Sequence, residues 1–321
     1  MPQTTPQPWN VIGHQTVLEF LDRVLDRQCV SHAYLLVGPQ SVGKMTVAWR
    51  FAARLLKTHP GTLKTHPDLV VVQRGLNKKT NRLREQITVE QIQEARKRFQ
   101  QSALHGGYKV LIVQDAHLLS TTAANALLKT LEEPRGNACI LLTVTDDTLL
   151  LPTITSRVQP LRLSLVAREM ICAGLEERAS SREEAHVLAG LSAGSPGVAI
   201  SLAEDPQLRE LIDQRNALTL ACLDASVQKR ILASRGVLPA YEEDHVKTRT
   251  ELLQRVSALE MQTRDALLVQ LQCSDLAAQQ IQSNMEVKQL TGLLHALPVL
   301  RVQLQQHLNP KLALIQLMQC I

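Results

Sequence analysis

The sequence predicts an α/β domain with a parallel sheet, followed by a remainder built of helices alone. Three observations carry this. Short apolar runs alternate with amphipathic stretches of helical spacing until about residue 164, where the strand-like runs stop. From about residue 207 the chain is rich in Leu, Gln and Ala at helical spacing. Aromatic residues make up only 2% of the 321, so the core must come from Leu, Val, Ile and Ala, which suits a helix-rich protein.

Taken in order, residues 16–27 place Val17, Leu18, Leu21, Val24 and Leu25 on one helical face. AYLLVG (33–38) reads as a buried strand, and 44–56 as a helix burying Val47, Ala48, Phe51, Ala52, Leu55 and Leu56. DLVVVQ (68–73) is a second strand, and a helix opens near Thr88 with Gln91 three residues on, a capping-box spacing. KVLIVQ (109–114) is a third strand, 121–134 a helix, ACILLTVT (138–145) a fourth strand and LRL (161–163) a short fifth. Residues 165–204 read as a small helical unit whose last helix starts at the turn Gly194-Ser195-Pro196-Gly197. Beyond it, Pro298 and Pro310 mark helix breaks. Three domains are expected: 1–164 α/β, 165–206 a small helical lid and 207–321 helical.

Composition bounds the function. With 45% hydrophobic and 20% charged residues, the chain is too apolar to be disordered. No run approaches about 18 apolar residues, so no membrane span or membrane partner is expected. The start, MPQTTPQPW, is polar and proline-rich, unlike a signal peptide. Six scattered cysteines with no C-x-x-C pair argue against disulfides and cysteine zinc sites, making a reducing cytoplasm the expected location. A net charge of +5 is modest, but residues 69–100 hold eight basic residues, among them Lys78, Lys79 and Arg82, against three acidic ones. A solvated loop and helix face is one reading of that run; contact with a phosphate backbone or an acidic partner is the other. LKTHP occurs at 56–60 and again at 63–67, a local duplication whose two histidines make a weak metal site.

The strongest chemical signal is Gly38-Pro39-Gln40-Ser41-Val42-Gly43-Lys44, between a buried strand and an amphipathic helix. Glycines let backbone N–H groups turn towards an anion, the helix N-terminus adds positive charge, and Lys44 reaches terminal phosphates. Two positions depart from a working hydrolase. A hydroxyl should follow the lysine to ligate Mg²⁺, but Met45 stands there, and Thr46 comes one residue, about 100° of helix, too late. The strand 109–114 should end in Asp then Glu, to hold the metal and orient water; it ends in Gln114 and Asp115. A one-residue slip that made Asp115 the metal ligand would carry it to the other sheet face.

These motifs recur together with VIGH (11–14), SHAYLLVGPQSVGK (31–44), THPDL (65–69), YKVLIVQDAHLL (108–119), NALLKTLEEP (125–134), LLPTITSRVQ (150–159) and AGSPGVA (193–199). The chain resembles the delta-prime family of bacterial DNA polymerase III clamp-loader subunits, AAA+ proteins close to the gamma/tau subunits. The likeness is dense over 11–200 and weaker beyond, where the closing NPKLALIQLM (309–318) is similar.

The resemblance implies a five-subunit ring that opens a sliding clamp and places it on primed DNA. Its members have an AAA+ phosphate-loop sheet domain, a lid and a helical C-terminal collar that holds the ring. Implied partners are gamma/tau-type ATPase subunits and the delta subunit, with the sliding clamp and primed DNA met through the complex. Delta-prime subunits are often poor ATPases that act as stators and lend an arginine to a neighbouring motor's ATP site. By position that arginine is Arg157, in Ser156-Arg157-Val158; an ordinary surface arginine is the alternative. The family usually has Cys where Val158 stands, and an arginine that contacts nucleotide where Val198 stands. Its four-cysteine zinc module is absent, so no zinc is expected. Thr143 or Thr145 falls near the residue that senses the terminal phosphate.

The implied chain has no polymerase site of its own and little or no ATPase activity. Gly38, Gly43 and Lys44, with Thr46 and Asp115, form a degenerate nucleotide site that requires no cofactor and leaves weak binding of ATP, ADP or phosphate open. An active motor of the same family is the alternative; it would need Thr46 and Asp115 to replace the missing ligands. A small-molecule kinase or GTPase is disfavoured by the helical tail and by NALLKTLEEP.

Overall fold

The computed structural model describes residues 9–76, 83–101, 103–104, 107–132, 136–176, 178–224, 226–237, 245–273, 281, 283–305, 314–315 and 317–318. The chain forms two compact units: Met1–Ile171 with Gly194–Gly197, and Cys172–Ala193 with Val198–Ile321.

In the first unit β1 (Ala33–Val37), β2 (Leu69–Val72), β3 (Lys109–Val113), β4 (Ala138–Val144) and β5 (Gln159–Arg162) form one sheet in the order β2-β3-β4-β1-β5. Every pairing is parallel, with Ala33 opposite Ile140, Lys109 opposite Ala138, Leu69 opposite Val110 and Tyr34 opposite Gln159. Parallel neighbours need crossovers. These are supplied by α2 (Lys44–Leu55), α3 (Val89–Phe99), α4 (Thr121–Glu132) and the one-turn α5 (Pro152–Thr155), while α1 (Gln15–Asp26) precedes β1.

Side-chain alternation divides the strands between two cores. Leu35, Val37, Leu111, Val113, Ile140 and Leu142 pack with Ile92, Ala95 and Phe99 of α3 and Ala123, Leu127 and Leu131 of α4. On the other face Tyr34, Leu36, Val110, Ile112, Cys139 and Leu141 pack with Leu18, Leu21 and Val24 of α1 and Val47, Phe51 and Leu55 of α2. Both faces are covered, so the strands read as continuous apolar runs rather than alternating ones. The few aromatics are placed where size matters: Tyr34 and Phe51 meet edge to face at 5.6 Å, and the Tyr34 hydroxyl accepts from the Ser31 N–H at 2.9 Å. Burying Phe51 alone stabilises by about 1.5–3 kcal/mol.

Local signals account for several boundaries. The capping box at Thr88 and Gln91 is formed in both directions. In each copy of LKTHP the histidine ring accepts from the N–H two residues on: His59 Nδ1 from Gly61 and His66 Nδ1 from Asp68, both at 3.2 Å. The rest of the repeat differs, since Leu56 caps α2 whereas Leu63–Thr65 forms a 3-10 turn. The bounds of one strand are corrected. β5 starts at Gln159, earlier than the apolar LRL indicated, because Tyr34 and Leu35 of β1 pair with Gln159 and Pro160. The short α5, with Pro152 at its first turn, was not visible in the pattern because four residues make no periodicity.

The second unit is helical in its described residues, with the end of α6 (Arg168–Leu175), then α7 (Arg182–Leu191), α8 (Pro196–Glu204), α9 (Pro206–Leu220), α10 (Val227–Val237), α11 (His245–Gln270) and α12 (Val287–Gln305). Ser181 and Asp205 cap α7 and α9 through their side chains. The expected break at Pro298 does not occur: α12 runs through it. Proline costs one helical hydrogen bond, about 3 kcal/mol in a helix interior. Leu290, Leu293, Leu297, Leu300 and Leu304 on the same helix are buried and offset that loss. Leu314, Leu317 and Met318 of the closing motif join this core, while Pro310 lies outside the described residues. Among the described residues no helix is long and apolar enough to cross a membrane.

Candidate nucleotide site and arginine

The loop between β1 and α2 is built by close approach and anchored carbonyls. Gly38 donates its N–H to Val144 O at 3.1 Å, and a Cβ there would sit 2.1 Å from Leu163 O. Ser41 and Gly43 take positive φ, 56° and 112°. Gln40 O accepts from Ser195 Oγ at 3.4 Å, Ser41 O from the Gly197 N–H at 2.8 Å, and Val42 O from His14 Nε2 at 2.8 Å. A carbonyl can only accept, so this histidine nitrogen carries the proton. In a peptide the N–H points opposite to the carbonyl, so anchoring three successive carbonyls turns the next three N–H groups the other way. That is the geometry of an anion nest.

Lys44 occupies the loop itself. Its Nζ donates to Gly38 O at 2.7 Å and Pro39 O at 2.6 Å, and the side chain is buried. Burial lowers its pKa from 10.5 to about 8, against an opposing pull from the nearby Asp115 carboxylate. Between about pH 8 and 10.5 the unfolded chain therefore holds a proton the folded one has lost, and folding stability rises with pH. Below pH 8 both states are charged and the burial cost is fully present. Lys44→Met is expected to stabilise the chain at pH 7.5, with the gain shrinking towards pH 10; urea unfolding at the two pH values checks it.

The positions around the lysine are distributed as follows. Met45 is partly buried and packs against the α1–α2 core, while Thr46 is exposed on α2. β3 ends at Val113, so Gln114 and Asp115 lie beyond the pleat and the argument from strand alternation does not apply to them. Asp115 is left-handed (φ 52°), donates its N–H to Thr143 Oγ1 at 2.9 Å, and accepts from Gln114 Nε2 at 3.3 Å. That bond separates Thr143, buried in β4, from the partly exposed Thr145. Two residues without a role in the sequence reading join the site. His14 holds the loop, and His117, its pKa lowered by burial, feels Asp115, Lys44 and Arg74. Neither histidine falls in a periodic or spaced motif that would assign it to the loop.

Arg157 follows α5. Its N–H donates to Ile154 O at 3.0 Å and its carbonyl accepts from His32 Nε2 at 3.0 Å. The guanidinium reaches Glu132 Oε1 at 2.9 Å with Nη2, and Thr153 O at 3.0 Å and Ser156 Oγ at 3.2 Å with Nη1. It remains partly exposed, at 38% of its side-chain area.

Residues 13–167 match the family described as DNA polymerase III, delta subunit. The match covers 155 of the 321 residues, a little under half of the chain. It is 38% identical over 185 residues to DNA polymerase III subunit delta-prime of Pseudomonas aeruginosa, covering 52% of this chain and 54% of that one. To the delta-prime subunit of Escherichia coli it is 34% identical over 159 residues, 49% of this chain and 46% of that one. The tau subunit of the same bacterium is 31% identical over 216 residues, 61% of this chain and 32% of the relative. The chain thus spans about half the length of these delta-prime relatives. The matched residues 13–167 take in the sheet and the helices α1 to α5 of the first unit.

Val198, where an arginine was looked for, is partly buried in the first turn of α8. Among the described residues no group of three or more His, Cys, Asp or Glu side chains could hold a metal. In the basic run, Leu76 bridges Leu83 antiparallel, Arg74 Nη1 donates to Arg84 O at 3.5 Å, and Lys97 and Arg98 are exposed on α3. Lys78, Lys79 and Arg82 lie outside the described residues.

Proposed function

We propose that the chain is a delta-prime-like subunit of the DNA polymerase III clamp loader, acting in DNA replication. In this reading it hydrolyses little or no ATP itself and serves as the stator that presents Arg157 to the ATP site of a neighbouring gamma/tau-type motor. The delta subunit shares the ring, and sliding clamp and primed DNA are met through the complex. The observation that supports the reading most directly is Met45. At the position after the loop lysine, where a hydroxyl would hold Mg²⁺, a thioether packs against the core. Gln114, a neutral amide, weakens the second metal position in the same way, and Lys44 hydrogen-bonds to loop carbonyls. The loop keeps its nest, so weak binding of ATP, ADP or phosphate belongs to the proposal; zinc does not.

The test is turnover. The isolated chain with Mg²⁺ and ATP is expected to hydrolyse no more than a buffer blank, while the complex assembled with motor subunits, clamp and primed DNA hydrolyses ATP. Turnover by the isolated chain would make it a motor and overturn the stator reading.

A further inference from the structure

The contacts of Arg157 carry a consequence for how such an arginine is delivered. Its backbone is fixed on both sides, by Ile154 O and by the His32 ring, so only the side chain can move. That side chain is folded back. Nη1 bonds the carbonyl of Thr153, four residues earlier, and the neighbouring Ser156 hydroxyl. Nη2 bonds the Glu132 carboxylate on the last residue of α4. Every one of these acceptors belongs to the arginine's own chain, and the guanidinium cannot extend to a phosphate elsewhere while it keeps them all.

We propose that Glu132 parks Arg157 against its own subunit, and that the terminal phosphate of a neighbour's nucleotide takes the guanidinium by replacing this carboxylate. The proposal rests on the reading that Arg157 serves a neighbouring ATP site. The exchange is between like partners, since carboxylate and phosphate both present oxygens matched to the guanidinium fork. It is cheap, because Glu132 and Arg157 keep 47% and 38% of their side-chain area exposed. Exposed pairs shift such an equilibrium by only about two- to fivefold. Glu132 is therefore a positioning residue that restrains an arginine without abolishing its use.

The experiment uses the complete reconstituted complex at saturating ATP, without clamp or DNA, where engagement of the arginine has no help from either. Glu132→Gln keeps the shape of the side chain and the helix end but removes the charge. It is expected to raise kcat about two- to fivefold with KM for ATP unchanged, because the nucleotide is held by the partner's own loop. On an Arg157→Ala background the same substitution is expected to do nothing, which a general structural effect of Glu132→Gln would not satisfy. If Arg157→Ala lowers turnover but Glu132→Gln leaves it equal or lowers it, the parking proposal is overturned and the stator reading stands. If Arg157→Ala itself changes nothing, the stator reading fails and the proposal goes with it.

Discussion

Arg157→Ala, built into the complex with motor subunits, clamp and primed DNA, is expected to slow hydrolysis at the neighbouring site by about 10³- to 10⁵-fold, the range for an arginine supplied in trans. A 10³-fold loss corresponds to about 4 kcal/mol of transition-state stabilisation. The guanidinium lends positive charge where negative charge accumulates on the transferring phosphoryl group, and alanine lends none. Arg157→Lys is expected to recover only part of the rate, because a point charge replaces a planar fork. The substituted chain should unfold within about 0.5 kcal/mol of wild type, since the lost contacts are partly exposed. Single-turnover hydrolysis resolves the slow site from the others. Unchanged kinetics across all sites would remove Arg157 from the mechanism.

Gly38→Ala is expected to be the most damaging small substitution in the loop, costing about 3 kcal/mol or more of stability. The added Cβ would lie 2.1 Å from Leu163 O. Neither partner can yield cheaply. The Leu163 N–H is bonded to Val37 O at 2.7 Å and the Gly38 N–H to Val144 O at 3.1 Å, so the clash is transmitted to the ends of β1, β4 and β5. Gly43→Ala differs in kind: its added Cβ meets only His14 Nε2 at 3.9 Å, but its φ of 112° strains any side chain, at a cost of about 1–3 kcal/mol. Gly292→Ala, in α12 with nothing within 4 Å, should be neutral or stabilising by up to about 1 kcal/mol. Urea unfolding orders the three; a Gly38→Ala midpoint equal to wild type would contradict the packing described.

What could be read from the sequence follows physical range. β1 to β4 and their helices were legible because fully buried parallel strands are unbroken apolar runs and covering helices carry one apolar stripe. The loop was legible because Gly38, Gly43 and Lys44 act through backbone conformation and a short reach along the chain. The pairing of Glu132 with Arg157 was not. These residues lie 25 apart and meet only because α4 and α5 flank the same strand. The Lys44 bonds to Gly38 and Pro39 carbonyls are local, yet spacing alone says only that the lysine reaches, not what it reaches. The direction of Asp115 was not legible from strand alternation, because β3 ends at Val113 and Asp115 is left-handed. Pro298 was misjudged because local propensity lost to five buried leucines on one helix.

The four residues Gly194–Gly197 belong to the first unit although the chain on either side of them belongs to the second. Three peptide connections therefore join the units, not one, and the middle crossing is stitched in by the Gly197 N–H on Ser41 O and the Ser195 hydroxyl on Gln40 O. A protease that nicks the chain near residue 171 would not release a free sheet domain. The smaller fragment, which carries Gly194–Gly197, would keep a foothold in the larger one on those loop carbonyls. The pair should elute together under native conditions and part only in denaturant.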